Sequence, residues 1–198
     1  MDSFDRMIDG CFRSAFEVLT QRHSAANYRF VKEDVLRYHM AMALDRDFPD
    51  VRLELEWKHV DMLLMKDEAL ALVELKSYDY RICLHPDGSR GVKGGAGSKN
   101  FEEFKASLRR LMEGPYRKGE VISGLNITDR YFVLTGTKIL DERCRDSRAN
   151  YAKDYWPPEA LSLGPEIEAR VVTKISAELG SLFVFGWVIR ICPSSKSL

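Results

Sequence analysis

The chain has 198 residues, enough for one domain with a sizeable core, and 45% hydrophobic with 30% charged residues is a globular composition. Thirty Lys/Arg balance thirty Asp/Glu, so no global field draws in nucleic acid or a membrane surface; yet residues 81–119 carry 9 Lys/Arg against 4 Asp/Glu, while residues 1–80 carry 11 against 16. Cys11, Cys83, Cys144 and Cys192 show no CxxC or Cys/His spacing, which argues against a zinc site or a disulfide framework. The acidic start MDSFDRMID is no signal peptide, and the longest apolar run, 182–189, is far short of the ~20 residues of a membrane helix, so no membrane association and a cytoplasmic location are expected.

Residues 2–21 place Phe4, Ile8, Cys11, Phe12, Ala15, Val18 and Leu19 at helical spacing, which predicts an amphipathic first helix. A second helix is expected over residues 30–43. It has two apolar stripes, Val31/Val35/Tyr38/Met42 and Leu36/Met40/Ala43, so it should be covered on more than one side. Glu33 falls in its first turn, where the helix dipole favours an acid in any case.

Residues 51–76 hold three alternating runs, VRLELEW, HVDMLLM and ALALVELK, read as a three-stranded meander. If Asp67 and Glu68 form the second turn, Lys66 faces Ala69 and Asp61 faces Glu74, with Cβ atoms about 4.5–5.5 Å apart. Glu74 and Lys76, two residues apart on one strand, share a face at about 6.7 Å. Two carboxylates that close repel unless a cation lies between them or one takes a proton. An acidic pair with an ammonium beside it therefore suggests a site for a hard divalent metal. Glu54 would join it if Trp57 and Lys58 formed the first turn. Glu74, Lys76 and Asp61 could instead form a salt-bridged trio on an exposed face, but Leu70 and Leu72 share that face and mark it as partly buried.

Beyond the meander, residues 86–99 read as a glycine-rich loop bearing Arg90, Lys93 and Lys99. A third helix over residues 100–112 has Phe101, Phe104, Leu108 and Leu111 on its buried stripe, with Lys105, Arg109 and Arg110 on its flanks. Residues 130–137 read as a strand and 141–164 as an irregular excursion. Pro165 to Gly180 reads as a last helix with the stripe Ile167/Val171/Ile175/Leu179, followed by a doubly buried strand over 181–192 in which Gly186 suggests a bulge.

The order helix, meander, helix, strand, with Glu33, Asp61 and Glu74-Leu75-Lys76, resembles the PD-(D/E)xK nuclease superfamily over roughly residues 28–137. Val60 stands where the namesake proline would be. The acidic-x-Lys pattern also occurs as Glu56-Trp57-Lys58 and Glu103-Phe104-Lys105, so strand context rather than the pattern singles out Glu74. The resemblance implies a single α/β domain over 1–198 with a restriction-endonuclease-like core. Its central mixed sheet would hold the antiparallel meander, be flanked by helices, and carry helix 2–21 and helix-strand 165–192 as additions. It further implies a nuclease hydrolysing phosphodiester bonds, DNA foremost, alone or as a homodimer. Asp61, Glu74 and the Leu75 carbonyl would hold Mg²⁺ or Mn²⁺, and Lys76 and Glu33 would complete the catalytic set. Arg90, Lys93, Lys99, Lys105 and Arg109 would grip the backbone. The alternatives are a non-catalytic nucleic-acid-binding or protein-interaction module on the same fold, and a hydrolase or structural subunit of another kind.

Overall fold

The computed structural model describes residues 3–23, 32–57, 60–84, 86–87, 90–94, 98–113, 116–117, 120–121, 126–139, 167–180 and 182–193. The first helix, α1 (Ser3–Arg22), and the second, α2 (Glu33–Asp47), lie where the apolar spacing predicts them. The meander follows as β1 (Arg52–Trp57), β2 (Val60–Lys66) and β3 (Ala69–Tyr78). The turn between β2 and β3 is Asp67-Glu68, with Asp67 in the left-handed region (φ 52°) that aspartate tolerates better than most side chains. Its ladder runs from Lys66↔Ala69 to Met62↔Val73, the predicted register.

The chain continues through a small hairpin, β4 (Tyr80–Leu84) and β5 (Arg90–Gly94), to α3 (Ser98–Glu113). The segment read as a glycine loop is thus partly a strand: Arg90 and Lys93 lie on β5, and Lys99 lies in the first turn of α3. A short hairpin, β6 (Tyr116–Arg117) and β7 (Glu120–Val121), precedes β8 (Ile127–Ile139), which lies parallel to β3. The excursion expected over residues 141–164 lies outside the described residues.

The expected last helix is a strand, β9 (Ile167–Leu179), paired with β10 (Leu182–Pro193). Ile167, Val171, Ile175 and Leu179 are all odd-numbered, so their spacing of four satisfies a strand's period of two as well as a helix turn. The β-branched Val171-Val172-Thr173 and Ile175 tip the balance towards extended backbone. Gly180 (φ 58°) begins the hairpin turn to β10 instead of capping a helix. Val172 is the extra residue of a bulge, because Val188 faces Thr173 and Ile189 faces Val171. Gly186 is not a bulge, since its neighbours keep register on both sides; it is a close approach, because a Cβ there would meet Phe12 Cζ at 2.4 Å.

The fold is α/β, with one six-stranded mixed sheet in the order β1-β2-β3-β8-β10-β9 flanked by helices. The C-terminal strands belong to this sheet and are not an appendage to it. On one face α1 and α2 pack Ile8, Phe12, Leu36 and Met40 against Met62, Leu64, Val73, Leu75, Val133 and Val188. On the other α3 packs Phe104, Leu108 and Leu111 against Leu63, Leu72, Phe132, Leu134 and Trp187. Only one stripe of α2 is covered by described residues: Leu36, Met40, Ala43 and Leu44 are buried, while Tyr38 and Met42 are more than half exposed. No helix among the described residues is long and apolar enough to cross a membrane.

Candidate active site

β3 alternates cleanly. Ala71, Val73 and Leu75 face α1 and α2, and Leu72 faces α3, so Glu74 and Lys76 turn towards the α3 face. On β2, Leu63 also joins the α3 face, and Asp61 has its parity. The ladder ends at Met62↔Val73; Asp61 and Glu74 are the next residues along each strand, and strand alternation puts Asp61, Glu74 and Lys76 on one side of the sheet.

The backbone is stitched to these side chains. The Leu75 amide, next in line to face β2 after Val73, donates to Asp61 Oδ2 at 2.7 Å. An extended residue turns its N–H and C=O to the same edge, so the Leu75 carbonyl also faces Asp61's side of β3. Glu33, from the first turn of α2, accepts from the Ser77 amide at 3.0 Å and faces Lys76 Nζ at 3.4 Å. Lys76 Nζ lies 3.5 Å from Glu74 Oε1 and so sits between two acids. Burial alone would lower its pKa, but the Glu33, Glu74 and Asp61 carboxylates outweigh burial and raise it.

Glu74 is the least satisfied group of the set. It is 5% exposed, and its nearest cations, Lys76 and Arg110, both stand 3.5 Å from the same oxygen. Burial, and then the charge of Asp61, push its carboxyl up to about 7 from an ordinary 4.5, despite both cations. The repulsion expected of two neighbouring carboxylates is present, and it falls on Glu74.

Sequence reasoning missed three residues here. Arg37 donates to Asp61 Oδ1 at 2.9 Å, to Asp34 at 2.7 Å and to Glu56 at 2.9 Å. Its signal was available, because Arg37 stands one helical turn after Glu33 and so shares its face. Arg110, half exposed on α3, stands 3.5 Å from Glu74 and donates to Ser107 Oγ at 2.9 Å. Glu56 replaces Glu54 as the acid of β1 near Asp61. The β1–β2 ladder differs from the one that a Trp57-Lys58 turn would set: Trp57 faces Val60 and Glu54 faces Leu63, and Glu54 pairs with Arg52.

The expected grip on a nucleic-acid backbone is only partly described. The side chains of Arg90, Lys93 and Lys99 lie outside the described residues. Lys105 pairs with Glu102 at 2.6 Å, and Arg109 is exposed on α3. A cavity of about 470 Å³ lies at the far end of β3, lined by Phe4, Lys66, Asp129 and Arg190 among others. Its two cations are paired, Lys66 with Asp50 and Arg190 with Asp129.

Among the described residues no three His, Cys, Asp or Glu side chains gather so that they could hold a metal ion. The donors expected from the sequence, Asp61, Glu74 and the Leu75 carbonyl, amount to two carboxylates and one backbone oxygen. Mg²⁺ sites use one or two carboxylates and leave the remaining positions to water and substrate phosphate. A cation there would offset the burial, and then the Asp61 charge, that raise Glu74. Compared with family models, with curated proteins and with solved structures, the chain matches none.

Proposed function

We propose that this protein is a metal-dependent nuclease of the PD-(D/E)xK kind, hydrolysing phosphodiester bonds of nucleic acid, DNA foremost, on a restriction-endonuclease-like core. The observation that carries the reading is Glu74: a buried carboxyl beside Asp61, pushed up to about 7, with an ammonium on the same face. A carboxylate held in that state gains most from a cation. Asp61, Glu74 and the Leu75 carbonyl would hold Mg²⁺ or Mn²⁺. When bound, the ion polarises the scissile phosphate and lowers the pKa of a water to make the nucleophile.

The chain's own residues supply the rest. Lys76, charged throughout the physiological range, donates to the attacking water or to the phosphate oxygens as charge builds on them. Glu33 acts through Lys76: its contacts with Nζ and with the Ser77 amide hold the ammonium and the strand end together. Arg110 adds a second cation near Glu74, and exposed Arg109 on the same helix is available to a phosphate backbone.

The test is a pair of substitutions. Lys76→Ala should abolish or strongly reduce Mg²⁺- or Mn²⁺-dependent cleavage of mixed single- and double-stranded substrates while leaving calorimetric metal binding largely intact. Asp61→Asn should lose both. Wild-type protein that neither binds these ions nor cleaves would sink the nuclease reading. One observation favours the non-catalytic module: Arg37 already supplies Asp61 with a cation. On that reading Asp61→Asn lowers stability and has no metal phenotype.

A further inference from the structure

The guanidinium of Arg37 occupies Asp61 Oδ1, one of the oxygens that a bound ion would need. It does so from a divided position. Nη1 serves Asp61, whereas Nη2 is held by Asp34 and Glu56, whose side chains are 78% and 73% exposed. The two outer acids therefore tether the guanidinium independently of Asp61. Glu56 reaches it from a left-handed backbone (φ 52°), a conformation that is costly for a glutamate and persists only where surrounding contacts hold it. That kink falls on β1 between Leu55↔Met62 and Trp57↔Val60, directly across from Asp61. A salt bridge needed only to hold α2 to β2 would require neither the second tether nor the kink.

We infer that Arg37 is a built-in competitor for Asp61, a gate that gives up Oδ1 to an incoming divalent cation while Asp34 and Glu56 keep its guanidinium at the rim. The inference rests on the reading of Asp61 as a metal ligand. It explains how a carboxylate can be both paired in the free protein and a ligand in the loaded one. It also makes metal affinity a property that Arg37 tunes: the ion must displace a charge-assisted hydrogen bond before it binds.

The experiment is Mn²⁺ titration by calorimetry on the full chain, with melting measured with and without the ion. Arg37→Gln should bind Mn²⁺ about tenfold tighter than wild type, the scale of one charge-assisted hydrogen bond. It should also melt lower without the ion and show a larger ion-induced rise. Arg37→Lys keeps the charge but loses the fork that spans three acids. It should gain about threefold, and it carries the test if the glutamine variant does not fold. Asp61→Asn in either background should remove binding. Equal or weaker Mn²⁺ affinity in folded Arg37 variants, with wild type binding normally, overturns the gate and leaves the nuclease reading standing. Absence of Mn²⁺ binding in wild type and both Arg37 variants overturns both.

Discussion

The sheet holds two buried groups of charges, one towards each end of β3, and they are built on opposite terms. At the end where β8 starts and β10 finishes, Asp5 of α1 is 1% exposed, and each of its two oxygens has a close hydrogen-bond partner. Tyr131 donates to it at 2.8 Å, Arg170 pairs with it directly, and Arg190 stands at 3.7 Å while gripping Asp129 at 2.5 Å. At the other end Glu74 is nearly as buried, but its cations stop at 3.5 Å and a second carboxylate lies beside it. The first arrangement ties the start of α1 to three strands, β8, β9 and β10. The second leaves a carboxyl whose charge the protein does not fully compensate, which is the property the proposed ion would use.

The comparison is broken most severely by Asp5→Ala. Removing one partner from a buried, hydrogen-bonded charge cluster strands the others and costs about 3–5 kcal/mol. For a chain of this size that lowers Tm by roughly 10 °C. Any Mn²⁺-induced rise in Tm should survive, because none of the proposed ligands is touched. A variant that melts like wild type would show that the cluster does not anchor α1.

Glu74→Gln should do the reverse. The folded carboxyl titrates at about 7 and the unfolded one near 4.5, so the native state holds the proton more tightly. Its contribution is fully present below about 4.5 and is lost as pH rises through 7, up to roughly 3 kcal/mol across that window. Glutamine cannot ionise. The variant should therefore melt several degrees above wild type at pH 8, match it near pH 4.5, and lose metal binding. In wild type, Mn²⁺ affinity should climb as pH rises towards and past 7, since the ion needs the ionised form. A pH-independent difference in Tm would mean that Glu74 is an ordinary, paired carboxylate.

The contrast between the two ends also marks what the sequence could reveal. The placing of Asp61 near Glu74 follows from alternation and from a two-residue turn, both local, and counting positions outward from Asp67-Glu68 gave the right register from Lys66↔Ala69 to Met62↔Val73. Helices α1 and α3 were legible for the same reason. The β1–β2 register failed because two adjacent turn positions fit the pattern equally well, and one residue's slip put Glu54 where Glu56 belongs. β9 failed because apolar residues every fourth position suit both periods, and its pairing with β10 decides between them. Arg37 stands visibly one turn after Glu33, but its partner on β2, like the partners of Asp5, was hidden for a deeper reason. These partners lie 24 residues away in one case and 126 and 165 in the other, and nothing in a helix's own pattern names a distant partner.

The smallest effect on stability belongs to the third kind of charge, on the basic segment around α3. Lys105 pairs with Glu102 one turn back along the helix, with the glutamate largely exposed. Pairs of this sort are worth little, so Lys105→Gln should move Tm by no more than about 2 °C, far less than either buried cluster. Binding should respond differently. A lysine that contacts phosphate releases counterions, and each contact contributes about 0.9 to the slope of log K against log salt on duplex DNA. Neutralising Lys93, Lys99 and Lys105 together should therefore flatten the salt dependence stepwise and weaken binding uniformly across sequences, with the fold untouched. Because Glu102 competes for Lys105, its share of the slope should grow in Glu102→Gln. If the slope stays unchanged in the triple variant, nucleic acid meets another face of the molecule, and the exposed arginines Arg109 and Arg110 become the next place to look.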